Sequence, residues 1–409
     1  MSNNFCNPFR PGAGHTPPYL AGRTSEQDEI KKLLKQTVVT QNIVLTGLRG
    51  VGKTVLLESL KPIAQEEKWL WAGADLSESA SITEETLAIR ILADIARITS
   101  VFIVETKKNS SMGFSSEYKN IQEPMNYEKL MDIFQNTPGL ISDKLKAVLE
   151  TVWGAIHSCY KDEIKGIIFA YDEAQNLTDH SAREQYPLSL LLEVFQSLQR
   201  KNIPYFLILT GLPTLFPKLV EARTYAERMF HVLFLKQLTM KDTKEAITKP
   251  IQDSESPIKF SQKAVDSIAN LSGGYPYFIQ FICKEVFDVW ITKIHNGEVP
   301  HISEDDIIRK LDTDFFYGRW AKVTDRQGSL LRVIAGLKKD GEEFSVQDAV
   351  IASKKLLKKP FGSSHVNQML LALSHSGLIY KNRFGKYSFA VPLLGEYILR
   401  QLSIEHGIE

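Results

Sequence analysis

Cysteine is scarce in this sequence, with three in 409 residues. Cys6, Cys159 and Cys283 stand too far apart for a disulfide framework or a metal-ligand set, so reduced core or surface thiols are expected. An excess of charge of either sign is also lacking. Lys and Arg number 49 against 48 Asp and Glu, a net +1, so no chain-wide field draws the protein to nucleic acid, and any DNA-binding face must be local. No apolar run is long enough to cross a bilayer, and no membrane span is expected. The opening residues, MSNNFCNPFRPGAGHTPPYLAGR, carry neither a basic n-region nor an apolar h-region. They do not read as a signal peptide, and a cytoplasmic location is the expectation.

What is present is the composition of a globular chain, 43% hydrophobic and 24% charged. Its length exceeds one ordinary core, so two or three domains are expected. In NIVLTGLRGVGKTVLLESL an apolar run, Ile43 to Leu45, leads into Gly47-Leu48-Arg49-Gly50-Val51-Gly52-Lys53-Thr54, and a helical pattern follows. Strand, loop and helix in that order fit the phosphate loop G-x-x-x-x-G-K-[ST], the Walker A element. Its glycines let backbone N–H groups close around phosphate oxygens at the positive end of the helix. Lys53 would reach the β- and γ-phosphates and Thr54 would ligate Mg²⁺.

A second acidic element should end another buried strand, and KGIIFAYDEAQNL supplies it. Ile167 to Ala170 is the strand, Asp172 would hold the Mg²⁺ shell, and Glu173 would orient or deprotonate the attacking water, as a Walker B pair does. YFLILTGLP reads as a further core strand ending at Thr210, whose hydroxyl could bind that water. Strands near residues 43, 70, 167, 205 and 232 separated by helical segments predict an α/β fold with a parallel sheet and ligands at the strand C-termini.

These residues resemble the AAA+ branch of P-loop ATPases, within the group that holds the origin-recognition initiators and the STAND switches. LAGRTSEQDEIKKLL matches the G-R-x-x-E box at Gly22, Arg23 and Glu26, which in such proteins wraps the adenine side. Arg228 precedes a strand, where the family commonly places an arginine aimed at a neighbour's γ-phosphate. Residues 239 to 295 resemble the family's small helical lid. There GGYP stands at the sensor-2 region, with Gly273 and Gly274 allowing a close approach to nucleotide and Pro276 opening a helix with Phe278, Ile279, Phe281 and Ile282. Where initiators often place an arginine, this chain has the Gly-x-Pro form of STAND switches, whose proline packs on adenine. The resemblance thereby implies ATP as the nucleotide, self-association through Arg228, and slow hydrolysis by the chain alone.

ETKKNSSMGFSSEYKNIQEPMN, residues 105–126, is polar and patternless and reads as an inserted loop or mobile segment. A new periodicity begins with a helix from about Thr324, then a helix capped by Ser345, a helix from Ser363 to His375, and a hairpin of LIYKN and GKYSFAV around Arg383, Phe384 and Gly385. Three helices and a hairpin look like a winged helix-turn-helix. In that reading Ser364, Asn367 and Gln368 reach into the major groove of duplex DNA, and Arg383 and Lys386 touch phosphate. Lys354, Lys355, Lys358 and Lys359 form a local basic cluster.

The expected organisation is an N-terminal segment with the AAA+ core over 1–238, a helical lid over 239–310, and a winged helix over 311–409. The expected function is an ATP-binding and hydrolysing switch, with ATP and Mg²⁺ as cofactors, that assembles with ATP and engages DNA through the winged helix. One alternative is a STAND-like signalling or defence switch acting on a separately encoded effector or partner protein. Another is a transposition or replication-loading ATPase.

Overall fold

Asn42–Gly47, Gly166–Tyr171 and Tyr205–Gly211 are short runs dominated by apolar residues, and each is buried along its whole length. Strands buried on both faces have no polar alternation to show, and they belong in the interior of a parallel sheet. A computed structural model places them there. It describes residues 6–12, 14–77, 79–112, 115–160, 163–254, 256, 258–299, 301, 303–337, 342–383 and 385–405, without the side chains of 80, 103–112, 115–123, 383 and 403–405.

The strands in chain order are β1 (Asn42–Gly47), β2 (Trp69–Ala72), β3 (Ile103–Met112), β4 (Ser115–Pro124), β5 (Gly166–Tyr171), β6 (Tyr205–Gly211), β7 (Phe230–Leu235), β8 (Phe344–Ser345), β9 (Ile379–Arg383) and β10 (Lys386–Phe389). The main sheet is parallel, in the order β2-β5-β6-β1-β7. Its five strands fall where the sequence predicted them. Register follows from pairings such as Leu45 with Thr210 and Ala170 with Ile208.

The chain divides into two compact units, one of residues 1–24, 47–55 and 234–409, the other of residues 25–46 and 56–233. In the second unit, the helices Glu84–Thr99, Ile141–Tyr160 and Pro187–Arg200 bury apolar faces in one core with β5 and β6. Each fully buried aliphatic side chain contributes about 1.5–3 kcal/mol. Asn42, a polar residue inside β1, is satisfied: its Oδ1 accepts from the Leu207 N–H at 2.9 Å and from Gln199 Nε2 at 2.8 Å.

The segment 105–126 corrects the sequence reading. Instead of an irregular loop, β3 and β4 pair antiparallel from Ile103 with Pro124 to Met112 with Ser115. Ladder pairing uses backbone groups that every non-proline residue carries, so a polar sequence without alternation gave no sign of it.

In the first unit, the helices Met240–Asp253, Gln262–Leu271, Pro276–His295 and Glu304–Leu311 follow β7, and their apolar faces share a core with the C-terminal elements. Thr239, Ser261 and Ser303 cap three of these helices through side-chain oxygens. Beyond them come Asp325–Ala335, Val346–Leu356 and Ser363–His375, the three-stranded sheet β8-β10-β9, and Leu394–Glu405. Thr324 and Ser345 each form a capping box. Among the described residues, no helix is long and apolar enough to cross a membrane.

Candidate nucleotide site

Gly50 and Gly52 take φ of +76° and +91°, a region that disfavours any side chain. With them the loop between β1 and the helix Lys53–Glu66 turns tightly. Lys53 Nζ donates to the carbonyls of Gly47 and Leu48, both at 3.0 Å, so its ammonium is held within the loop. Leu48, Arg49, Gly52, Lys53 and Thr54 are not closed off by the packing around them, while Val51 is buried.

Three neighbours fix this loop inside the first unit. Arg23, 5% exposed, donates from Nη2 to Val51 O at 3.0 Å and to Lys236 O at 2.8 Å. The guanidinium of the G-R-x-x-E box thus ties the loop to the chain leaving β7. Tyr277 N–H donates to Gly50 O at 3.1 Å, and a Cβ on Gly52 would lie 3.7 Å from Pro276 Cγ. The start of the Pro276–His295 helix therefore packs on the loop. Arg49 lies over Gly377, in the turn after Ser363–His375, where a Cβ would stand 3.2 Å from its Nη2. The tyrosine and this arginine contact were not foreseen from the sequence, since both depend on long-range packing.

Gly273 and Gly274, expected near nucleotide, meet protein. A Cβ on Gly274 would fall 2.7 Å from Leu238 O, and one on Gly273 would fall 3.1 Å from Leu393 Cδ2. Gly274 O accepts from Leu238 N–H at 2.8 Å. Their freedom serves a close chain crossing.

In the second unit, Asp172 follows β5 and is 4% exposed, and its Oδ1 accepts the Glu173 N–H at 2.7 Å. Glu173 is exposed and left-handed, at φ 52°, a strained conformation for a side-chain-bearing residue of the kind that gathers at functional sites. Thr210 lies on the neighbouring strand β6, fully buried, and its hydroxyl has no hydrogen-bond partner among the described residues. Thr46, at the end of β1, is also buried, and its hydroxyl has no partner among the described residues. An unsatisfied buried hydroxyl costs about 1–3 kcal/mol, a cost that an ordered water bound at either atom would offset. The adjacent strands β5, β6 and β1 thus carry Asp172, Thr210 and Thr46 at or just beyond their carboxyl ends. The glycine-lined loop with its lysine suits polyphosphate, and a buried carboxylate with a hydroxyl-bearing neighbour suits a hydrated divalent cation.

Arg228 occupies the other end of this sheet. It is exposed in the short helix Ala226–Met229 just before β7 begins, whereas Asp172 follows the end of β5. With Thr40, Gln196, Arg200 and Tyr225 it lines a cavity of about 370 Å³.

The residues expected to meet DNA lie in the first unit. Ser364, Asn367 and Gln368 are exposed on one face of Ser363–His375, with Leu371 beside them at the same spacing. Lys354, Lys355, Lys358 and Lys359 are exposed, and Lys386 is half-buried. Arg383 is in β9, with its side chain outside the described residues, as is Phe384 altogether.

A solved structure of the Aeropyrum pernix ORC2 protein in its ADP form matches 96% of this chain and 98% of its own, at 15% identity and a TM-score of 0.56. The fold is that of an ORC-like AAA+ protein. The same Aeropyrum protein in ADPNP–ADP complexes matches 97% of this chain and 98% of its own, at 14% identity and a TM-score of 0.52. The Walker-type ATPase PABY2304 of Pyrococcus abyssi matches 93% of this chain and 96% of its own, at 15% identity and a TM-score of 0.55. At these identities the AAA+ likeness is one of fold alone. The model of a family described as a domain of unknown function (DUF8462) matches residues 313–398. No curated protein matches the sequence.

Proposed function

We propose that this chain is an ATP-binding and ATP-hydrolysing switch that assembles with ATP and associates with duplex DNA. The observation that carries the nucleotide part is the set of polar groups delivered by three adjacent parallel strands: β1 runs into the glycine loop, β5 into Asp172 and Glu173, and β6 carries Thr210, whose hydroxyl has no partner among the described residues. In this reading residues 47–54 cradle the phosphates and Lys53 neutralises them. Thr54 and Asp172 are the protein ligands for Mg²⁺, which supplies charge neutralisation on the phosphates when bound. Glu173 orients and deprotonates water, and Thr210 holds it through its hydroxyl. Arg23 acts by holding the loop, and Pro276 bounds it from the lid. In this reading residues 1–238 form the core, 239–310 the lid and 311–409 the winged helix, acting in the cytoplasm.

Arg228 supports self-association. Arg228 precedes β7 while Asp172 follows β5, so in this reading it would serve a neighbouring molecule's nucleotide. For DNA, the support is the exposed polar face of Ser363–His375 followed by the β9–β10 hairpin, the order of a winged helix, with exposed lysines nearby. The Walker-type ATPase named above and the nucleotide forms of the Aeropyrum protein agree with this reading.

A second reading, a STAND-like switch answering to a partner protein, is favoured by the Arg49 contact with Gly377. There the phosphate loop touches the turn after the helix Ser363–His375, so release of that helix and nucleotide state would be linked. A transposition or replication-loading ATPase is a third form of the same chemistry.

The test is ATP turnover by the purified chain with and without duplex DNA over a range of salt. Lys53→Ala should bind no ATP, and Glu173→Gln should bind it without turnover. Salt-dependent stimulation by DNA supports the DNA-associated switch. Turnover indifferent to DNA favours the partner-protein switch, and no binding by the wild-type chain refutes both.

A further inference from the structure

Glu173 is exposed, so burial does not fix its carboxylate. A side chain two residues on does. Gln175, in the 3₁₀ turn Ala174–Asn176, donates from Nε2 to Glu173 Oε2. Its Oε1 accepts the backbone N–H of Leu212, just past the end of β6, at 3.1 Å. An N–H can only donate, so this contact sets the amide's orientation and leaves its donor facing Glu173. The turn itself is anchored. Lys218, from the helix Leu215–Ala222, donates to Gln175 O at 2.8 Å and to Thr178 Oγ1 at 2.9 Å, and Asn176 Nδ2 donates to Leu76 O at 2.9 Å. Gly211 leaves room for the arrangement, because a Cβ there would fall 2.6 Å from Gln175 Oε1.

We infer that Gln175 is a positioning residue that holds one oxygen of Glu173, leaves the other to face the attacking water, and registers both to the end of β6. This rests on the reading of Glu173 as the group that activates water. Through Leu212 and Gly211 the amide is fastened to the strand that carries Thr210, so one side chain sets the spacing between the two groups proposed to handle that water. A misplacement of about 1 Å at such a site lowers rate about 100-fold while leaving nucleotide binding to other residues.

The experiment compares ATP hydrolysis, by steady-state and single-turnover assay of the full chain with Mg²⁺ and ATP, in wild type, Glu173→Gln, Gln175→Glu, Gln175→Met and Gly211→Ala. Gln175→Glu keeps the shape and the acceptor for Leu212 but loses the donor to Glu173, and Gln175→Met loses both. Both should lower kcat about 10- to 100-fold with KM for ATP unchanged. Gly211→Ala, which displaces the amide without altering it, should do the same and stands in should either Gln175 variant fail to fold. If Gln175→Glu turns over like wild type and only Gln175→Met falls, Gln175 merely braces the turn and the assignment fails. A rise in kcat, showing restraint rather than positioning, also overturns it. Should Glu173→Gln stall while the other variants behave as wild type, this inference fails alone. Undiminished turnover in Glu173→Gln, or none in wild type, removes the parent reading with it.

Discussion

At the scale of single residues, the phosphate loop is held in a shape that only glycine takes without strain. Gly50, at φ +76°, faces Tyr277, whose Cβ would lie 3.1 Å from an added Cβ. Gly50→Ala therefore meets two penalties. The left-handed conformation alone costs about 1–2 kcal/mol, and relief of the contact requires the start of the Pro276–His295 helix to move. We expect a loss of about 1–2 kcal/mol in denaturant stability together with weakened ATP binding. An alanine variant with wild-type stability and affinity would show that this loop adapts freely. Arg23 illustrates a different point. Its box is read from sequence as the wrapping of adenine, yet two of its hydrogen bonds run to Val51 O and Lys236 O, so its visible work is to fix the loop's backbone.

At the scale of elements, the five strands of the main sheet and the starts of some helices were legible because their signals are local. Ile167 to Ala170 is an apolar run bounded by Gly166 and Asp172, and Thr324 and Ser345 announce their helices through capping boxes. The candidate site was legible where chemistry is written in consecutive residues, as in Gly47 to Thr54 and in Asp172 with Glu173. It was illegible where a side chain works across the chain. Gln175 reaching Leu212, Tyr277 reaching Gly50 and Arg49 lying over Gly377 depend on packing that no window of sequence contains. The ribbon of β3 and β4 was missed for another reason, since its two strands pair with each other and form a sheet of their own. Its base is pinned separately: Met125 is buried, its N–H donates to Phe102 O at 3.2 Å, and Thr99 Oγ1 donates to Met125 O at 2.6 Å. Replacing residues 104–123 by a short Gly-Ser linker should leave the cooperative melting transition in place, because shortening a loop changes its closure entropy by well under about 1 kcal/mol per halving of length. Loss of cooperative melting would mean that the ribbon holds the core.

At the scale of the whole molecule, the decisive question is whether hydrolysis is completed by one chain or by two. Arg228 is exposed beside Arg200 at the start of β7, while Asp172 and Thr210 stand at the other ends of parallel strands. If Arg228 acts as proposed, it would stabilise the charge on a transferring phosphoryl group only when a second molecule presents its nucleotide, and an arginine in that role raises rate by about a thousandfold or more. Turnover per chain should therefore rise with protein concentration. Arg228→Ala should bind ATP as tightly as wild type yet lose that rise. Mixing it with Lys53→Ala gives a sharper measurement. The first binds ATP but lacks the arginine, and the second keeps the arginine but binds no ATP, so each is inactive alone and the mixture should recover turnover. A mixture that stays inactive, or an Arg228→Ala chain that keeps full turnover at every concentration, would place the transition-state charge in the care of other residues.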